Sequence, residues 1–288
     1  MPGDEVTVTT RRAAVPWLPI LWFTSLLVLS YWPVLVKMVR QWSEDEDMGH
    51  AFFVPLVAGY IAWQRREELF GSPAQPCWLG ALLLACAAVQ CFIGALGAEL
   101  FLQRSSIVIS VVGAVLLAGG FRIAKMLALA LFMLLFMIPL PSIIYGQITF
   151  PLQLLASRVA EASLGLLGIP VLREGNVLEL ANQKLSVVEA CSGIRSLLSL
   201  SFLALVYAYF FDRRAWMRPV LLVATIPIAI TANATRVTVT GILSQYDSEL
   251  AKGFYHSAQG WIIFMTALAC LVITHRVIDV ATRMKRRA

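Results

Sequence analysis

The residues around position 191 combine a thiol, a cation and backbone amides. Cys191 directly precedes an apolar run that predicts a helix, and Arg195 follows it by one helical turn. A helix N-terminus lowers the pKa of a thiol placed there, and a nearby cation favours the thiolate further. The amides of Ser192 and Gly193 can bind an oxyanion, whereas the Ser192 side chain is expected to cap the helix. The pattern predicts a nucleophilic cysteine, and the alternative is a small packing residue.

A second cation lies within a long apolar run. Arg236 is the only charged residue in PIAITANATRVTVTGIL. An arginine inside a membrane span is unfavourable unless it has partners or water, so a functional site is the default hypothesis. Asn233 precedes it by three residues on the same helix face and is a candidate partner for the guanidinium. The alternative is an arginine that only reaches towards lipid headgroups.

Histidines supply the candidate general bases. His256 follows Lys252 in a polar segment, which predicts a loop, and imidazole is the usual base for a thiol nucleophile. The alternative is that His256 is a solvated bystander. His50, at the outer end of the second apolar run, is a rival base on geometry alone. His275 lies at the opposite end of its run and is excluded. The cysteines show no spacing typical of a metal site, so we expect neither a metal nor a cofactor.

Composition indicates that all these residues belong to an integral membrane protein. Of the 288 residues, 59% are hydrophobic and 14% are charged, and the mean hydropathy is +0.77. Soluble domains are about 45–50% apolar and about 25% charged. The net charge of +6 is explained by basic cytoplasmic loops, so we do not expect nucleic acid as a partner. The predicted surroundings are the lipid bilayer.

Apolar runs predict about eight transmembrane helices, because a span needs about 20 apolar residues. The predicted spans are 16–38, 51–64, 78–98, 105–121, 123–146, 194–211, 216–244 and 258–280. Pro139 and Pro141 are expected to end the fifth helix early.

Charge distribution orients this bundle with both termini in the cytoplasm (N-in/C-in). Fourteen Lys and Arg residues then fall in cytoplasmic segments and seven fall outside, as the positive-inside rule requires. In this orientation, the start of the sixth span, the end of the seventh and the start of the eighth lie at the outer face. Cys191, Arg236 and His256 are therefore predicted to lie at one membrane face.

The largest outer segment, 147–190, is predicted to be an insert within a single domain of residues 1–288. Its first half has apolar residues at helical spacing, typical of an amphipathic helix on the membrane interface. Turn residues at Glu174-Gly175-Asn176 and Ala181-Asn182-Gln183 separate short β-type runs, which predicts a small hairpin leading into Cys191. The predicted fold is all-α and membrane-integral, with this helix and hairpin on the outside.

Several segments resemble the exosortase/archaeosortase family of membrane-embedded cysteine sorting enzymes. The resemblance lies in VVEACSGIRSLLSL, NATR and FYHSAQGW, and further in SYWPVLVKMVRQW, DMGHAFFVPLVAGYIAW and PLQLLASRVAEASLGLLGIPV. It covers most of residues 30–275. The resemblance implies an eight-helix protein whose catalytic Cys, Arg and His are Cys191, Arg236 and His256. One departure is that the family commonly has His-Gly where this chain has Gly49-His50-Ala51.

The resemblance also implies a function. Such enzymes act on secreted proteins that end in a short Pro-Glu-Pro-like motif, a transmembrane helix and a basic end (a PEP-CTERM-like tail). They would cleave near the motif at the outer face of a bacterial inner membrane and pass the new C-terminus to an acceptor, which we expect to be an exopolysaccharide or lipid-linked.

Two other function classes fit a polytopic membrane protein. A transporter would place charged or discontinuous helices near the midplane in paired halves, and apart from Arg236 the sequence shows neither. A non-enzymatic component of a polysaccharide export system would use the outer loops for docking. Selective labelling of Cys191 by a thiol probe would favour the enzyme over both.

Overall fold

The described part of the chain is mainly helical and forms two compact units, which meet in sequence between Pro139 and Leu140. The computed structural model describes residues 17–181, 184–186, 194–246 and 253–287. This division does not test the predicted single domain over residues 1–288, which stays a prediction.

Helices alone make up the regular structure of residues 17–139, the described part of the first unit. They are α1 (Trp17–Ser30), α2 (Trp32–Glu44), α3 (Phe53–Gln64), α4 (Arg66–Gly71), α5 (Leu79–Leu96), α6 (Leu100–Met126) and α7 (Ala128–Met133), with 3₁₀ turns at Glu46–Met48 and Leu134–Met137. Helices α5 and α6 approach closely at Gly80, where an added Cβ would overlap the backbone of Leu117. Small residues permit such contacts between membrane helices.

The first predicted span, 16–38, is not one straight helix. It divides into α1 and α2, and the two helices are bent by 75°. Pro33 occupies the first turn of α2. Proline has no N–H to donate to the preceding turn and its ring clashes with that turn, so the chain begins a new helix there. The buried hydroxyl of Tyr31, at the bend, lies 2.8 Å from Oγ of Ser110 in α6.

A sheet interrupts the helices of the second unit. Its elements are α8 (Ser142–Leu166), β1 (Val171–Glu174), β2 (Val177–Leu180), β3 (Lys184–Ser186), α9 (Ile194–Phe211), α10 (Met217–Tyr246) and α11 (Gly253–Arg287). Within the fifth predicted span, the first helical part ends at Met137, before Pro139 and Pro141, as predicted. Helix α8 begins after Pro141 and includes the predicted amphipathic helix. One face of α8 is buried with β2 and α10 in a cluster of Ala156, Ala160, Leu164, Leu178, Leu180 and Val237.

The predicted hairpin is present and is extended by a third strand. The antiparallel order is β1-β2-β3. Gly175 has a φ of 65° in the turn between β1 and β2, a conformation that glycine adopts readily. The carbonyl of Gly175 accepts a 3.0 Å hydrogen bond from Oγ of Ser157, which ties this turn to α8. The second predicted turn includes Asn182 and Gln183, which lie outside the described residues.

Length and composition make five of the described helices candidate membrane spans. They are Leu79–Leu96, Leu100–Met126, Ile194–Phe211, Met217–Gln245 and Ala258–Met284. The number rises to seven if two pairs of helices, each separated by a short break, are counted as one span apiece. The prediction of a polytopic helical membrane protein is confirmed, whereas the count of eight spans and the N-in/C-in orientation stay predictions.

Candidate active site

Three helices of the second unit position the predicted site, because α10 contains Arg236, α11 contains His256 and α9 follows Cys191 in sequence. Helices α9, α10 and α11 share a buried cluster of Leu200, Ala204, Ala208, Met217, Leu221, Ala267 and Leu271. Five residues connect α9 to α10 and six connect α10 to α11, and such short connections join antiparallel helices. The start of α9, the last part of α10 and the start of α11 therefore lie at the same end of the group. Cys191, Ser192 and Gly193 lie outside the described residues, and α9 begins at Ile194, three residues after the cysteine.

Hydrogen bonds between the helices set their relative levels. Tyr207 Oη in α9 lies 3.0 Å from Nδ1 of His275 in α11. Ile194 precedes Tyr207 by thirteen residues, or about 20 Å of helix, and thirteen residues before His275 is position 262. The start of α9 is therefore level with the part of α11 that contains Gly260.

Arg236 of α10 meets α11 at this level. A Cβ built on Gly260 would lie 3.2 Å from Nη2, 3.3 Å from Cζ and 3.7 Å from Nη1 of Arg236. The guanidinium therefore packs directly against the backbone of α11, where the absence of a side chain leaves room for it. Arg236 is half-buried. Among the three predicted catalytic residues, Arg236 is the one whose side chain the structure describes. It lies at the shared end of the three helices.

A buried amide joins the same two helices next to Gly260. Gln259 Nε2 donates to the backbone carbonyl of Arg236 at 3.0 Å, and Gln259 Oε1 accepts from Oγ1 of Thr240 at 3.1 Å. Both side chains are buried. Sequence reasoning missed Gln259 and Gly260, although both lie within the FYHSAQGW segment that carries the family resemblance.

Position 256 lies in a helix and not in a loop. The polar segment around it was predicted to be a loop, but α11 begins at Gly253, so His256 falls within its first turn. The backbone can continue the helix there because the segment contains no proline. Gly260 follows one turn later, and positions four apart lie on the same face of a helix. The side chain of His256 is outside what the structure describes, so its role as base stays a prediction.

The supporting residues have different surroundings. Arg195 is half-buried in the first turn of α9, and its role next to the thiol stays a prediction. Asn233 is buried, but it lines a small cavity with Leu152 of α8 and Leu197 of α9. In the described part of the chain no hydrogen bond joins Asn233 to Arg236, and the residue that binds the α10 backbone at Arg236 is Gln259.

His50, the rival base, belongs to the first unit. It lies in the turn before α3 and is buried. Burial lowers the pKa of His50, and hydrogen bonds with the backbone of Phe136 and Asp47 oppose that shift. The neutral imidazole is therefore favoured. Its participation in a site on the second unit stays a prediction.

The other end of the three helices holds a network of charged residues. Asp212, just after α9, contacts Nε2 of His275 at 2.9 Å and accepts hydrogen bonds from Arg214. Arg214 also reaches Asp279 at 2.8 Å. Hydrogen bonding from Arg214 holds the pKa of Asp212 well below its usual range. His275 lies fifteen residues, about 22 Å, along α11 from Gly260, which is too far for it to serve as the base there.

Groups of acidic, histidine and cysteine side chains that could hold a metal ion are not found among the described residues. The four described cysteines, Cys77, Cys86, Cys91 and Cys270, are free thiols.

The apolar helices define a polytopic membrane protein. Its candidate site lies at the end of α9–α11 where Arg236 contacts α11. The family model for transmembrane exosortases matches residues 42–273, which include Cys191, Arg236 and His256. The chain therefore belongs to the transmembrane exosortase family. No curated protein matches the chain, and no solved structure does.

Proposed function

We propose that this protein is a membrane-embedded cysteine peptidase or transpeptidase that processes C-terminal sorting tails of secreted proteins. The tail consists of a short Pro-Glu-Pro-like motif, a transmembrane helix and a basic end. The reaction takes place at the outer face of a bacterial inner membrane. An exopolysaccharide or lipid-linked amine acceptor, or water, receives the new C-terminus.

The contact between Arg236 and Gly260 is the observation that carries this proposal. It brings the guanidinium against the helix that contains His256, one turn away from that position. The same end of the helix group includes the start of α9, which Cys191 precedes by three residues. Membership of the exosortase family supports a role in sorting-tail processing.

In the proposed mechanism, His256 takes the proton of Cys191 and the thiolate attacks the carbonyl carbon of the scissile peptide bond. Arg236 and the amides of Ser192 and Gly193 stabilise the oxyanion of the tetrahedral intermediate. The C–N bond then breaks, and the leaving amine takes the proton from the His256 imidazolium. The remaining thioester at Cys191 is resolved by the acceptor amine or by water, which regenerates the thiol.

Replacement of Cys191 tests the proposal. A reporter protein that carries the three-part tail is expected to be processed by the wild-type enzyme and to remain unprocessed with Cys191→Ala, at equal enzyme levels in the membrane. Cys91→Ala and Cys270→Ala are the matched controls and should process normally, because these cysteines lie in the α5 and α11 spans. Normal processing by Cys191→Ala would contradict a cysteine mechanism and leave Ser192 or a non-enzymatic role.

A further inference from the structure

We propose that Gln259 and Gly260 are positioning residues that fix the guanidinium of Arg236 relative to the base-bearing first turn of α11. The inference rests on the proposed function, since it assigns a role to residues around the same cation. Neither residue is proposed to touch the substrate.

Gln259 fixes the axial register of α10 against α11. Its amide donates to the carbonyl of Arg236 and accepts from the hydroxyl of Thr240. These two residues of α10 are one turn apart, so a single side chain of α11 holds a whole turn of α10. The exposed fraction is 8% for Gln259 and 0% for Thr240. A buried hydrogen bond is unfavourable to break, because water does not replace the lost partner.

Gly260 leaves the space that the guanidinium occupies. At 3.2 Å from Nη2, even the methyl group of alanine would be closer than an ordinary van der Waals contact. The guanidinium is the end of a flexible side chain, so it would move away by a few tenths of an ångström and the backbone would stay in place. A larger side chain at position 260 would displace the guanidinium from this location.

Positions 256 and 260 are one turn apart on α11, and position 259 lies between them. The spacing between the cation and the base therefore depends on a single turn, held to α10 by Gln259 and kept open by Gly260. A misplacement of about 1 Å can reduce an enzymatic rate by about 10²-fold. This dependence gives the two residues a testable catalytic effect without any contact to the reacting atoms.

Substitutions at position 260 provide the main test, with kcat and KM measured on the tail reporter in proteoliposomes. We expect Gly260→Ala to lower kcat by about tenfold and Gly260→Leu by about 10²-fold, with KM unchanged, because the cation acts in the transition state. The thermal midpoint of Gly260→Ala should stay equal or rise, since alanine favours a helix interior over glycine. Gly146→Ala in α8 is the control and should match wild type, because no atom lies within 4 Å of its added Cβ.

The amide contact is tested by Gln259→Leu, which keeps the size of the side chain and removes both hydrogen bonds. We expect a decrease in kcat of at least about tenfold at unchanged KM. In an Arg236→Ala background, Gly260→Ala and Gln259→Leu should cause no further loss, because residues that act through one group are not additive.

The outcomes separate this inference from the proposed function. Wild-type turnover by Arg236→Ala would remove the cation from the mechanism and overturn the positioning role, whereas the cysteine peptidase function stands or falls with Cys191→Ala. An impaired Arg236→Ala with wild-type kcat in Gly260→Ala and Gln259→Leu would overturn the positioning role alone. If Gly260→Ala lowered kcat equally in the wild-type and Arg236→Ala backgrounds, the positioning role would also be overturned. The effect would then not pass through the guanidinium.

Discussion

Arg236 is the residue whose chemical role is most open to direct measurement. Its guanidinium packs against Gly260 instead of extending away from the helix group, which favours a positioned cation over one that reaches for headgroups. We expect Arg236→Lys to accumulate normally and to process the tail reporter at least about tenfold more slowly. Lysine keeps the charge and loses the planar fork, and loss of one oxyanion donor lowers rates by about 10²–10³-fold.

The matched control for this substitution is Arg158→Lys, because Arg158 is an exposed arginine on α8 in the same unit. It should process the reporter like wild type. Wild-type turnover by Arg236→Lys would speak against bidentate oxyanion binding and would direct attention to Arg195, which lies one turn from the thiol in sequence.

Sequence reasoning at the residue scale singled out Arg236 but not the residues that contact it. An isolated charge in an apolar run is visible without any structure, because its burial is unfavourable unless it is compensated. The contacts of Gln259 and Gly260 are different, since they depend on which face of α11 meets α10. Such long-range helix packing is not determined by the spacing within either helix. Asn233, three residues from Arg236, lines a small cavity with Leu152 and Leu197, and its supporting role stays a prediction.

At the scale of elements, the ends of α9 and α11 opposite Arg236 are held by the network around Asp212. Its side chain is 5% exposed and binds both Arg214 and His275. Removal of one partner from a buried ion pair typically destabilises a protein by about 3–5 kcal/mol. We therefore expect Asp212→Ala to lower the free energy of unfolding in detergent micelles by about 3 kcal/mol. At temperatures where the variant is folded, kcat should remain close to wild type.

The comparison for Asp212→Ala is Glu44→Ala, which breaks an exposed ion pair with Arg40 on α2. Exposed pairs contribute little to stability, so this variant should unfold at the wild-type temperature. An Asp212→Ala protein as stable as Glu44→Ala would show that the network does not hold the helix ends together.

Long apolar runs predicted α5, α6, α9, α10 and α11 well, because about 20 apolar residues in sequence define a span without reference to the rest of the fold. Bends were harder. Pro33 separates α1 from α2, yet a proline in an apolar run can equally be tolerated inside a membrane helix. Pro151, for example, lies inside α8 without ending that helix. The start of α11 was missed because the polar residues before position 258 resemble a loop, whereas their backbone continues the helix.

At the scale of the whole molecule, the orientation in the membrane decides where the chemistry takes place. Charge distribution predicts that reporter fusions after residues 68, 122, 214 and 284 are cytoplasmic, and that fusions at 45, 175 and 250 are external. Alkaline phosphatase and fluorescent-protein fusions measure this directly. A cytoplasmic signal at 175, in the turn between β1 and β2, would separate the segment leading to Cys191 from the outer face.

The most direct test of the central claim is to isolate the covalent intermediate. The wild-type enzyme, mixed with the tail reporter and quenched in acid, should yield a peptide containing Cys191 joined through a thioester to the new C-terminus of the reporter. Hydroxylamine should release it, and mass spectrometry identifies both partners. Cys191→Ala should yield none. Cleavage of the tail without an adduct at Cys191, or with an adduct on Ser192, would contradict the cysteine mechanism.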